Sequence, residues 1–267
     1  MVNPAWPMIG VEPEPVSVRL ARAHAWERLI GRPAGTPAPA AFPLFGTPEL
    51  ARWVRWPQAW LRRARAEGRV LTIGRGLHLA VPDGAASDWR PHPVEAAWLV
   101  AAMRFGRIVP YVSAMSAAAL HGAAPLPAGA VHVTVPRQVA PLRLAPVGIT
   151  IVFHQRAERK GLARTWLPGA MPRGPGGPVL ETMRGELCEP RVATRVQTAL
   201  DLLHSPSRSG APENVDRAVA LLLAGVRVSD IRTATLGQRR HTAFERWMYL
   251  RPPLEARTRG GLDWLRG

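Results

Sequence analysis

Between Pro57 and Val81 the chain reads PQAWLRRARAEGRVLTIGRGLHLAV, a helix-length segment closed by glycine and followed by two short apolar runs around Gly74-Arg75-Gly76. No other stretch constrains the local fold as tightly. Proline at the first position of a helix loses nothing, because that N–H has no intrahelical partner. Gly68 supplies the usual closing residue at the far end. Val70-Leu71-Thr72-Ile73 and Leu77-His78-Leu79-Ala80-Val81 then read as two strands joined by a tight turn. Upstream, Thr47 is expected to cap a short helix over residues 48–55, with Pro48 at its first position and Glu49 in its first turn. An earlier helix is expected over residues 15–30, with Leu20, Ala23, Trp26 and Ile30 as its apolar stripe. A Pro/Gly/Ala-rich connector follows over residues 31–47. Helix, short helix, helix, hairpin is the order of a winged helix-turn-helix, with Trp56-Pro57 in place of the usual glycine-centred turn.

Charge gathers in the same place. The chain has 35 Lys+Arg against 19 Asp+Glu, a net +16, and only Lys160 among the 35 is lysine. Such a balance points to a polyanionic partner, nucleic acid first. Arginine use of this kind also follows from a GC-rich genome, so the placement of the charge matters more than its amount. Residues 48–82 hold Arg52, Arg55, Arg62, Arg63, Arg65, Arg69 and Arg75 against Glu49 and Glu67. On a helix over 57–68, Trp60, Leu61 and Ala64 share a face that can pack inward. Gln58, Arg62, Arg63 and Arg65 fall on the other, with small Ala59 and Ala66 permitting close approach to base edges. Arg69 and Arg75 belong to the hairpin, where Gly-Arg-Gly suits a wing tip near a phosphate. Gln58, Arg62, Arg63, Arg65, Arg69 and Arg75 are therefore the expected DNA-binding residues. A solvated arginine face is the competing reading. Trp53, Trp56 and Trp60 recur at helical spacing and are assigned to core packing rather than to a base-stacking platform.

Beyond a polar linker at residues 83–91 the pattern turns mixed. Helices are expected over residues 93–105 and 113–121, with Ser113 as an N-cap. Strands are expected over 131–135 and 148–154. Helices follow at about 192–204, 214–225, 228–236 and 241–250. Residues 167–178 read as a mobile loop. The expectation is an α+β chain: a winged helix-turn-helix in residues 1–82, a linker at 83–91, and a mixed α/β domain in residues 92–267.

Chemistry for an enzyme is sparse. Glu158-Arg159-Lys160 matches the last element of a nuclease-type site, but no acid lies between Glu95 and Glu158 to complete a metal cluster. His92, His132 and His154 lack ligand spacing, and His121 suits a helix C-terminus. Ser113 and Ser116 have no partnered His and Asp, and no phosphate-cradling glycine pattern occurs. No catalytic residue, metal or cofactor is expected. Cys188 is the only cysteine, which fits a reducing, cytoplasmic setting without disulfides. Residues 1–15 lack the basic start of a signal peptide, and no apolar run is long enough to span a bilayer.

Several segments together resemble the AbiEi-type antitoxins of bacterial toxin–antitoxin systems, associated with phage defence. They are PELARWVRWPQAWLRRARAEGRVLTIGRGLHLAV, VPYVSAMSAAALHGAAP, VHVTVPR and VATRVQTALDLL, covering roughly residues 45–205. The most specific are Tyr111-Val112-Ser113 through Leu120-His121-Gly122 and the Val131–Arg137 strand. The resemblance implies an N-terminal winged helix that binds inverted repeats in its own promoter and represses the operon. It also implies a C-terminal domain that counteracts a nucleotidyltransferase toxin. Two alternatives stand beside it: a solitary winged-helix regulator without a toxin, and a nuclease-related protein.

Overall fold

The computed structural model of this chain describes residues 43–52, 54–156, 180–238 and 240–250. The helix expected over 15–30, most of the connector after it, the Glu158-Arg159-Lys160 motif and the 167–178 loop lie outside them. The architecture is α+β, with two sheets and several helices.

The smaller sheet holds β1 (Leu44–Gly46), β2 (Val70–Gly74) and β3 (Leu77–Ala80), antiparallel in the order β1-β3-β2. Two helices accompany it, α1 (Thr47–Leu50) and α2 (Pro57–Ala66). The end of the expected connector is thus a strand: Leu44 and Phe45 are buried, and pairing with β3 satisfies their backbone. The short helix stops well before residue 55. Trp56 takes φ −126°, ψ 72°, outside the helical region that a following proline disfavours, so α1 and α2 are not one continuous helix. Thr47 does not cap with its side chain either. Gly46 is the N-cap, and the Thr47 hydroxyl goes to His78.

The larger sheet holds six short strands: β4 (Tyr111–Val112), β5 (Ala130–Val135), β6 (Leu142–Leu144), β7 (Ile149–Gln155), β8 (Leu180–Thr182) and β9 (Arg191–Ala193). Their order is β6-β7-β5-β4-β9-β8; β5 is parallel to β7 and β4 to β9, and the other pairs are antiparallel. The helices here are α3 (Pro93–Phe105), α4 (Ala114–Leu120), α5 (Arg195–His204), α6 (Val215–Leu223) and α7 (Val228–Gly237), and residues 241–250 are helical. The helix expected from about 192 starts at Arg195, because Arg191–Ala193 form β9. Ser113 is the N-cap of α4, but its hydroxyl accepts from Thr134 Oγ1 at 2.8 Å instead of closing the helix.

Alternation along β5 and β7 divides the larger sheet. Val131, Val133, Val135, Ile151 and Phe153 join Trp98 and Leu99 of α3 in one core. His132, Thr134 and His154 alternate with them; Ser113 Oγ accepts from the Thr134 hydroxyl, and Ser116 Oγ accepts from the His132 backbone N–H. A second core lies among α4, α5, α6, α7 and residues 241–250. Helix α3 is buried from Val94 through Ala102 without a solvent face, as expected of a helix that is apolar all round. The small sheet joins the core that holds α3: Leu44, Ile73 and Leu79 belong to it together with Trp98 and Leu144.

Candidate nucleic-acid interface

Helix α2 and the β2–β3 turn carry the residues expected to meet DNA. Leu61 and Ala64 are buried with Phe45, Leu50 and Val70, which seats α2 on the small sheet. Trp60 is half-buried, its ring edge-on to Phe45 at 6.4 Å. Gln58, Ala59, Arg62, Arg63, Arg65 and Ala66 are all exposed. The side chains of Gln58, Arg62 and Arg75 are exposed and make no hydrogen bond or ion pair with the described residues, so their polar groups remain available. Arg65 is partly engaged, its Nε donating to the Leu61 carbonyl at 3.0 Å.

Arg63 and Arg69 are tied to one carboxylate. Arg63 Nε donates to Glu67 Oε1 at 2.8 Å, and Arg69 Nε to Glu67 Oε2 at 2.6 Å. These bonds, Arg63 first and Arg69 second, hold the Glu67 carboxyl below its ordinary range. Arg69 also lies over the Trp60 ring, 5.8 Å from its centre. Its guanidinium is oriented by two neighbours.

The turn that presents Arg75 is held on two sides. Gly76 takes φ +69°, a left-handed setting that favours glycine, and its carbonyl accepts from Thr47 N at 3.0 Å. A Cβ on Gly74 would stand 3.6 Å from Leu144 of β6, so the turn packs against the larger sheet. Beneath it, His78 is buried between Thr47 Oγ1 at 2.9 Å from Nε2 and Thr72 Oγ1 at 3.1 Å from Nδ1. Burial lowers its pKa, so the ring is neutral near pH 7 and offers one donor and one acceptor. One threonine therefore donates to it and the other accepts. His78 joins the start of α1 to the hairpin, a role that the sequence pattern does not show.

The core assignment of the three tryptophans is corrected in part. Trp53 lies outside the described residues. Trp56 is 67% exposed, because its non-helical backbone at the N-cap turns it off the buried face of α2. The Arg55 guanidinium lies 5.4 Å from its ring centre.

Away from this surface the polar groups mostly serve one another. Asp201 on α5 accepts from Gln197 Nε2 at 2.8 Å, pairs with Arg240 and has Arg156 Nη1 at 3.9 Å. Arg156, just past β7, donates to Tyr111 Oη at 3.3 Å and to Gln238 Oε1 at 2.9 Å. Gln238 Nε2 closes the ring by donating to Gln197 Oε1 at 2.8 Å. This network ties β4 and β7 to α5 and to the segment after α7. His132 and His154, 22 residues apart in sequence, meet at 2.8 Å with their rings stacked. Among the described residues no three His, Cys, Asp or Glu gather closely enough to hold a metal. Burial, and then Glu95, push the Cys188 thiol up to about 12, so it is a poor nucleophile. Among the described residues no helix is long and apolar enough to cross a membrane.

No protein-family model and no curated protein matches the chain. A solved structure, that of the RV2827C protein from Mycobacterium tuberculosis, aligns over 87% of this chain and 80% of that one, at 16% identity and a TM-score of 0.40. That overlap is too loose to bear on function.

Proposed function

We propose that residues 1–82 form a winged helix that binds duplex DNA, and that the protein is an antitoxin repressing its own operon. One observation carries the DNA reading: α2 is split lengthwise, with Leu61 and Ala64 buried and Gln58, Arg62, Arg63 and Arg65 exposed. Strand, short helix, helix and hairpin also follow one another in the winged-helix order. On this reading α2 enters the major groove, where Gln58 and Arg62 offer bidentate contacts to base edges. Arg63, Arg65, Arg69 and Arg75 meet phosphates. The likeness to AbiEi-type antitoxins supplies the rest: inverted repeats in the chain's own promoter as the site, and a nucleotidyltransferase toxin as the target of residues 92–267.

Binding to a duplex from upstream of the gene, measured against salt, tests the DNA half. Affinity should fall with a log–log slope of about −0.9 per phosphate contact. Arg62→Ala should cost about 1–3 kcal/mol of discrimination against a scrambled duplex, while Arg75→Ala weakens both duplexes alike. A salt-insensitive affinity removes the reading. For the toxin half, an Arg62/Arg63/Arg65→Ala triple variant should lose repression yet still restore growth to cells expressing a nucleotidyltransferase encoded beside it. Loss of rescue at matched protein levels, with the fold intact by circular dichroism, would place both jobs on one surface.

A further inference from the structure

Trp56 is the one large apolar side chain left exposed among the described residues of the small sheet and its helices. It is mounted firmly. Pro57 follows it at the first position of α2, and the Trp56 carbonyl accepts from Trp60 N at 3.0 Å in the first helical turn. The indole therefore stands at the N-terminal end of α2, the end that recognition helices direct toward base edges. The Arg55 guanidinium lies over the ring, and Arg52, Gln58 and Arg62, close by in the chain, are exposed as well. A flat apolar surface with a guanidinium over it, in an arginine-rich segment, matches a partner that is both polyanionic and rich in apolar ring and methyl faces.

We propose that Trp56 is a direct DNA contact, its indole packing on deoxyribose and a thymine methyl at the groove edge while Arg55 pairs with the adjacent phosphate. This rests on the reading that α2 faces duplex DNA. It goes further in dividing the contact: Arg55 supplies charge, and Trp56 supplies apolar and stacking area that salt does not screen.

The test uses the full chain and a 30-base-pair duplex taken from upstream of its gene, with the same strand single as a second probe. Trp56→Ala should weaken duplex binding about tenfold, within the range of alanine substitutions at nucleic-acid stacking positions. It should leave the log–log salt slope unchanged, because no phosphate contact is lost. Trp56→Phe should recover part of the loss, and Arg55→Ala should flatten the slope by about one. Circular dichroism and the melting temperature should match the wild type in all three, since both side chains are exposed. If Trp56→Ala binds as tightly as the wild type, the contact is overturned and the DNA reading stands. If its effect is confined to the single strand, the duplex contact is overturned as well. If the wild type shows no salt-dependent binding, the proposed function fails and this contact fails with it.

Discussion

Glu67 holds two of the arginines assigned to DNA, Arg63 through one carboxylate oxygen and Arg69 through the other. An exposed arrangement of this kind adds little to stability in water. Its effect on binding is larger, because a phosphate must compete with the carboxylate for both guanidinium groups. Glu67→Gln frees them without changing side-chain size. The variant should bind any duplex more tightly, with a salt slope steeper by up to about 0.9 for each arginine released. An unchanged slope across a salt series would mean that neither Arg63 nor Arg69 reaches a phosphate. Because its pKa is lowered, Glu67 loses these bonds only as pH falls through a value below the usual 4.5. Binding should therefore show no titration of this group between about pH 5 and 8.

At the scale of elements, the parallel pairing of β5 with β7 sets Thr134 opposite His154 and brings His132 against the same ring. Burial lowers both pKa values, that of His132 to about 4, so the pair is neutral at pH 7. A hydrogen bond between His132 Nδ1 and His154 Nε2 then needs one proton between them. A Cβ on Gly210 would run into His132 Nε2, so that nitrogen faces the Gly210 backbone carbon. The tautomer that avoids burying an unsatisfied N–H there has His132 Nδ1–H donating to His154. In the unfolded chain histidine takes its proton near 6.5, and in the fold His132 takes one only near 4. Between those values the unfolded state binds more protons, so stability is lost as pH falls through the window. The melting temperature should drop from about pH 6.5 toward 4, and His132→Asn should flatten the drop. An equal drop in that variant would assign the acid sensitivity to other groups. None of this pairing was legible beforehand, since strand register lies in the three-dimensional fold. Helix α3 and strand β5 were legible because thirteen and six residues are enough to show a period and its boundaries. Strands of two or three residues, such as β4, β6 and β9, cannot display alternation. Trp56 was misread for a related reason: helical spacing assigns a face only while the backbone is helical, and Pro57 ends that condition one residue earlier.

Among the described residues, α3 shares one core with the large sheet and with Leu44, Ile73 and Leu79 of the small sheet. The small sheet keeps a further cluster of its own, Phe45, Leu50, Leu61, Ala64 and Val70. Trp89, between the two, donates to Glu186 Oε1 at 3.0 Å, so the segment joining them is also held to the larger unit. Separate surfaces and a shared core are compatible: Arg62, Arg63 and Arg65 are exposed, and removing them leaves every residue around α3 in place. The shared core predicts how the molecule melts. Ile73 is fully buried, and Ile73→Ala should cost about 2–5 kcal/mol, from lost transfer energy and the cavity left behind. Because that cavity opens on the core around α3, the loss should be felt by the whole chain. Tryptophan fluorescence and far-ultraviolet circular dichroism should report one transition with a midpoint lowered by several degrees, roughly 2–4 °C per kcal/mol. Duplex binding should disappear over the same temperature range. A variant that melts in two steps, losing DNA binding first while most helical signal survives, would show that the small sheet unfolds by itself and that α3 does not couple the two units.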